Sequence, residues 1–192
     1  MRFHKREIFD LLKAWIAISI AFGIVLSERS FGINLLKFIG IALLTAGIGF
    51  IAHELSHRYF ARKYKCYAEF RSNDIMLLIA IVLSFAGFVF AAPGAVWFSG
   101  YVNKEQRGII SMSGPLANIV VALIFLPLIF VIPTFALYGM MINSWLAFFN
   151  LIPFRGFDGY KVLQWNKAIY AILIVVSLGL TVLSFVGNSI FL

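Results

Sequence analysis

The chain alternates long stretches free of Asp, Glu, Lys and Arg with short charged ones. The uncharged stretches are 14–27, 38–53, 75–103, 108–154 and 168–192. A helix that crosses a bilayer needs about 20 apolar residues, so each stretch is a candidate membrane segment. The first reaches that length when Leu11 and Leu12 join it and Lys13 snorkels to the interface. The fourth holds two helices, with Pro133 at the turn between them. The pattern predicts an all-α polytopic membrane protein with about five transmembrane helices.

Residues 75–103 fit neither one simple span nor two. The basic residues decide between a full crossing and a hairpin that enters and leaves on one side. With a hairpin, 1–13, 58–74, 103–107 and 155–167 share a side and carry 14 Lys and Arg, against 2 in 28–37. With a full crossing the split is 9 against 7. The positive-inside rule favours a re-entrant membrane hairpin, a cytoplasmic N-terminus and an external 28–37. The cell (plasma) membrane is the expected location. The hairpin is predicted to descend as a short helix over 75–85. It breaks at Gly87 and at Ala91, Ala92, Pro93 and Gly94, and Val89, Phe90, Val96, Trp97 and Phe98 suit an extended return. Non-helical backbone at membrane depth is tolerated only inside protein or beside a wet cavity, so this segment is expected to line one. The alternative is an ordinary transmembrane helix with a Pro-Gly end.

Composition agrees. Hydrophobic residues make up 62% of the chain and charged residues 12%, against about 25% charged in soluble domains. The net charge of +8 lies almost wholly between apolar runs, so it sets topology and does not indicate nucleic acid. Cys66 is the single cysteine and belongs to neither a disulfide nor a metal-binding pair. The basic segment 1–13 followed by an apolar run has the outline of a signal peptide, but 24–30 lacks a small-x-small cleavage pattern. It is read as a retained helix over 11–27. No repeat or linker interrupts the chain, so one domain over 1–192 is expected, with no signal of a particular oligomer.

His53, Glu54 and His57 form an H-E-x-x-H pattern. On a helix, residues four apart share a face, so both imidazoles can reach one metal. Glu54 lies about 100° round the helix from His53. It can miss the metal yet touch a water beside it and act as general base. Fifteen uncharged residues, 38–52, lead into the motif. Ionisable groups at such depth default to a functional reading; the plainer alternative is a helix end at the interface.

A catalytic zinc usually takes a third protein ligand. The metzincin pattern wants Gly at 60 and His at 63, which are Phe60 and Lys63, and His4 lies in the basic N-terminal segment. Downstream of His57 the carboxylates are Glu69, Asp74, Glu105 and Asp158. The first three sit among charged or polar neighbours. Asp158 alone ends a long apolar span, where Pro153, Gly156 and Gly159 let the chain turn inward. It is the expected third ligand; pairing with Arg155 or Lys161 is the other reading.

The chain resembles the site-2 protease family of intramembrane metalloproteases. The resemblance rests on His53-Glu54-x-x-His57, on Asn150, Pro153, Asp158 and Gly159, and on Ser113, Gly114, Pro115, Leu116, Ala117 and Asn118 between them. It covers a core of about 37–165. It implies one Zn2+ held by His53, His57 and Asp158, with Glu54 activating water. It also implies cleavage of transmembrane-helix substrates in the lipid bilayer from a site open to the cytosol. The chain looks like a minimal member, without room for PDZ or CBS domains. It departs from many members in the apolar insert 75–92, while Ala92 to Val96 resembles the counterpart of their Gly-rich membrane strand. Asn118 and Asn150 either hydrogen-bond between helices, typically for less than about 1–2 kcal/mol, or donate to the scissile carbonyl. Asn150 is the stronger oxyanion candidate because it belongs to the ligand motif. Two rivals use the same residues: a membrane metal-ion transporter, and an inactive scaffold that binds membrane helices. Glu54 at the base position weighs against both, and the lack of internal repeats against the transporter.

Overall fold

A computed structural model describes residues 3–28, 30–89 and 93–191. Phe90, Ala91 and Ala92 of the expected hairpin lie outside them. The elements are α1 (Lys5–Leu26), α2 (Ile33–Leu44), α3 (Ala46–Lys63), β1 (Tyr67–Ser72), α4 (Asp74–Ser84), β2 (Gly94–Ser99), α5 (Lys104–Leu128), α6 (Pro133–Asn150), α7 (Asp158–Trp165) and α8 (Lys167–Phe191).

Among the described residues, four helical stretches are long and apolar enough to cross a membrane: Lys5–Leu26, Ile33–Lys63, Lys104–Leu128 and Lys167–Ser189. The chain is a mostly helical membrane protein. Helix α6 has 18 residues but carries Asn143 and Asn150 within its apolar run. Helix α4 has 11 residues, a rise of about 16 Å at 1.5 Å per residue, roughly half a bilayer core. The short helix expected over 75–85 is therefore present, and an extended segment follows it. The outward side chains of α8, among them Val175, Val182 and Phe185, are exposed, as lipid-facing positions are.

The chain forms two compact units, one drawn from 1–51 and 68–97 and the other from 52–67 and 98–192. In the first, α1 packs on α2 and α4. At Gly23 a Cβ would lie 2.8 Å from the Ile39 backbone, so glycine is what permits this approach. Thr45 interrupts the helix between α2 and α3, its hydroxyl donating back to the Ile41 carbonyl. Near this interruption the Trp15 indole N–H donates to the Leu43 carbonyl at 3.1 Å.

Helix α1 starts six residues earlier than the charge pattern predicts, and it buries Glu7 and Asp10. The reason is long-range. The Phe70 N–H of β1 donates to Glu7 Oε1 at 3.2 Å, Ser72 Oγ donates to Asp10 Oδ1 at 3.2 Å, and Arg71 lies 3.8 Å from Asp10. Buried carboxylates persist when hydrogen-bonded or paired. Strands β1 and β2 form a two-stranded sheet. Gly94 faces Arg71 and Ser72 at one end and Gly100 faces Cys66 at the other, so the strands run antiparallel. Ala68 and Phe70 of β1 are buried, whereas Ala95, Trp97 and Phe98 of β2 are exposed.

In the second unit, α5, α6 and α8 enclose an apolar core that includes Phe125, Leu137, Met140, Ala147 and Leu180. An Asn103–Gln106 capping box starts α5, and Pro133 stands at the first turn of α6, where the sequence places the bend. Gly139 receives the Phe125 ring, which a Cβ would meet at 2.6 Å. Thr181 of α8 donates to Ser144 of α6 at 3.0 Å, a buried polar contact between helices.

Candidate metal centre

The site lies within the second unit. Helix α3 presents His53 and His57 one turn apart on a single face, both buried, and Glu54 beside them is buried too. Opposite stands a stripe of α5, Ile110, Gly114 and Asn118, at four-residue spacing. Each member serves the imidazoles. The Ile110 carbonyl accepts from His57 Nδ1 at 2.7 Å and Asn118 Oδ1 accepts from His53 Nδ1 at 2.6 Å. Gly114 leaves the room between them: its Cβ would sit 2.4 Å from His57 Nε2 and 2.6 Å from His53 Nε2.

Those acceptors set the tautomers. Carbonyl and amide oxygens only accept, so each Nδ1 carries a proton and each Nε2 is turned to the opposite side of its ring. The two Nε2 atoms face one another at 3.0 Å. Asp158 Oδ2 lies 3.0 Å from His57 Nε2 and 3.5 Å from His53 Nε2. Its other oxygen is 3.6 Å from Lys161 Nζ. One oxygen of Asp158 thus faces both imidazoles and the other faces Lys161.

Asp158 reaches this position because the chain folds back after α6. Gly156 adopts a positive φ of 106°. A Cβ on Gly159 would lie 2.0 Å from the Leu151 carbonyl oxygen, so the start of α7 sits directly on the end of α6. Burial opposes ionisation of the Asp158 carboxyl, while charge on His57 and the contacts to both imidazoles favour it. The balance holds the carboxyl below the usual carboxylate range, an anion at neutral pH.

The donor set fits a metal. His53, His57 and Asp158 offer three ligand atoms within 4.8 Å of one another. Tetrahedral zinc with bonds of about 2.0–2.1 Å places its donors about 3.3–3.4 Å apart. The observed separations of 3.0, 3.0 and 3.5 Å are close to that spacing. Three electron-rich atoms converging in a buried place need a cation or proton between them.

The two asparagines are placed differently. Asn118 lies behind His53, and its Nδ2 donates to Asn143 Oδ1 at 3.1 Å. Asn150 donates to the Leu146 carbonyl of its own helix at 2.9 Å. Asn143 escapes a sequence-based list of functional residues, and Gly114 enters it only as one position of the Ser113–Asn118 motif. An amide within an apolar helix reads as an interhelical hydrogen bond, and a glycine reads as packing.

The fold and site together define a membrane protein with a His/His/Asp group that could hold a metal ion. Over 179 residues the chain is 41% identical to a Methanocaldococcus jannaschii protein named "putative zinc metalloprotease", covering 89% of this chain and 90% of that one. It is 26% identical over 159 residues to a Bacillus subtilis protein of the same title, covering 69% of this chain and 70% of the other. No family model and no solved structure matches the chain. The chain belongs to the site-2 protease family of zinc metalloproteases.

Proposed function

We propose that the protein is an intramembrane zinc endopeptidase that hydrolyses peptide bonds within transmembrane segments of other membrane proteins. One zinc per chain is held by His53, His57 and Asp158, with Glu54 as general base. The observation that carries this reading is the convergence of two Nε2 atoms and Asp158 Oδ2 at 3.0–3.5 Å, beside a buried Glu54. Zinc, when bound, polarises a carbonyl oxygen and brings the pKa of a water to about 7. Glu54 accepts the proton of the attacking water and returns it to the leaving amide nitrogen. Ile110 and Asn118 hold the imidazoles in the tautomer that ligates. Lys161, on the outer oxygen of Asp158, steadies the carboxylate.

In this reading α1, α2 with α3, α5, α6 and α8 are the five spans, and 75–103 is a re-entrant hairpin. The 14-to-2 distribution of basic residues supports a cytoplasmic N-terminus and a site open to the cytosol in the plasma membrane. A substrate helix hides its backbone in its own hydrogen bonds and must unwind locally. Strand β2 pairs with β1 on one edge, and its other edge can accept the unwound segment by strand addition. The test is cleavage of a membrane-helix substrate by purified protein, wild type beside Glu54→Gln, at matched zinc content. Cleavage by wild type alone is the expected result.

A further inference from the structure

We propose that Trp165 is a positioning residue for the metal centre: seated on Gly108 of α5, it fixes where α7 places Asp158 relative to His53 and His57. This rests on the zinc reading above and deepens it.

Asp158 opens α7 and Trp165 closes it. The helix has eight residues, a length of about 12 Å at 1.5 Å per residue. A helix so short moves as one piece, so its far end helps to decide where the carboxylate stands. It is held at its start, middle and end. At the start, a Cβ on Gly159 would lie 2.0 Å from the Leu151 carbonyl oxygen, which seats α7 on the end of α6. In the middle, Val162 is fully buried in the apolar core. At the end, the half-buried Trp165 packs against the same core and lies directly on the backbone of Gly108. A Cβ at 108 would stand 2.4 Å from two ring carbons of Trp165 and 2.5 Å from its Cβ.

The contact at the end bears on the ligand geometry because of what else α5 holds. The Ile110 carbonyl accepts from His57 Nδ1 at 2.7 Å, and Gly114 faces both imidazoles. Gly108 and Gly114 are six residues apart, about 9 Å along the helix and about 120° round it. One glycine receives the element that carries Asp158, and the other receives the element that carries the histidines. The Gly159 contact sets Asp158 against α6. The Trp165 contact sets it against the helix that grips His57. Metal–ligand distances are held to within about 0.2 Å. Ordinary carbon contacts are about 3.5–4.0 Å, so a methyl group at 108 would push Trp165 away by about 1 Å. Trp165 touches no ligand atom in this scheme; its bulk acts through the backbone of α7.

The test uses full-length protein in detergent. Zinc affinity is read by chelator competition, and cobalt(II) in place of zinc reports the ligand set through its visible absorption. Trp165→Ala should lower zinc affinity at least about tenfold, the scale of lost outer-shell support. It should also shift the cobalt bands toward those of Asp158→Ala. Trp165→Phe keeps a ring in the seat and should stay near wild type. In an Asp158→Ala background, Trp165→Ala should cost nothing further, because residues that act through one another are non-additive. Leu180→Ala truncates the same core about 20 Å along α8 from its start. It should lower thermal stability and leave affinity and spectrum unchanged. A merely packing role would make Trp165→Ala behave like Leu180→Ala, and that result overturns the proposal. Full additivity with Asp158→Ala overturns it too. If Trp165→Ala does not fold, Gly108→Ala is judged by the same two criteria. Hydrogen exchange of amides 162–166 in metal-free protein separates the proposal from the zinc reading. Trp165→Ala should speed this exchange and Leu180→Ala should not. Faster exchange with no zinc binding by wild type would defeat the zinc reading and leave the seat standing, whereas unchanged exchange would defeat the seat.

Discussion

Gly114 on α5 faces His57 on α3 so closely that a Cβ there would lie 2.4 Å from His57 Nε2. Both imidazoles are held from behind by Nδ1, so they cannot swing aside without breaking those bonds. Gly114→Ala should therefore strain the site by about 1–3 kcal/mol, the usual range for overpacking. Zinc affinity from chelator competition, read beside thermal unfolding, should show the loss mainly in metal binding. Unchanged affinity would mean that α5 yields and the imidazoles are not clamped.

Metal binding itself gives the second prediction. His53→Ala, His57→Ala and Asp158→Ala should each weaken binding of one zinc per chain. Zinc at a hundredfold excess over its Kd should raise folding stability by about 2.7 kcal/mol, and chelation should remove that gain. Full zinc content and activity in Asp158→Ala would contradict the ligand assignment.

Much of this site was legible in the sequence, because helical spacing alone brings His53 and His57 together and elimination leaves Asp158. What stayed hidden depends on contacts between residues far apart in the chain. Asn118 was a candidate from the sequence, but its contact with His53 shows only once α3 and α5 are packed, and Asn143 is an ordinary helix amide until α6 joins them. The uncharged stretch placed the first helix at 11–27, yet α1 begins at Lys5 and buries Glu7 and Asp10, because β1 supplies them partners more than 50 residues away. The helix at α4 and the strand at β2 were readable from local propensity. The strand partner of β2 was not, since pairing register lies outside local pattern.

The buried carboxylate of Glu7 supplies the third prediction. Glu7→Ala leaves the Phe70 N–H without its acceptor in a buried place, a loss of about 1–3 kcal/mol. Thermal unfolding in detergent should fall accordingly, while zinc affinity stays near wild type because the donors belong to the other unit. A large loss of zinc affinity with no loss of stability would contradict this account.

The basic-residue distribution makes the fourth prediction. Residues 58–74, 103–107 and 155–167 should be cytoplasmic and 28–37 external. Single cysteines at 32 and 105, placed on a Cys66→Ser background, can be labelled from outside intact cells with an impermeant thiol reagent. Labelling at 32 and protection at 105 are expected. Labelling at 105 alone would refute the hairpin.

Glu54→Gln tests the central claim most directly. Glu54 is not assigned as a ligand, so zinc content should match wild type. A neutral amide cannot accept the proton of the attacking water, and loss of a general base typically lowers the rate by about 10²–10⁴. The measurement is the cleavage rate of a helix-destabilised membrane substrate in detergent, by both proteins at equal zinc. The account predicts cleavage by wild type, none detectable by Glu54→Gln, and retained substrate binding by the variant. Equal cleavage by the two would contradict Glu54 as the base, and absence of cleavage by wild type across several such substrates would contradict the protease itself.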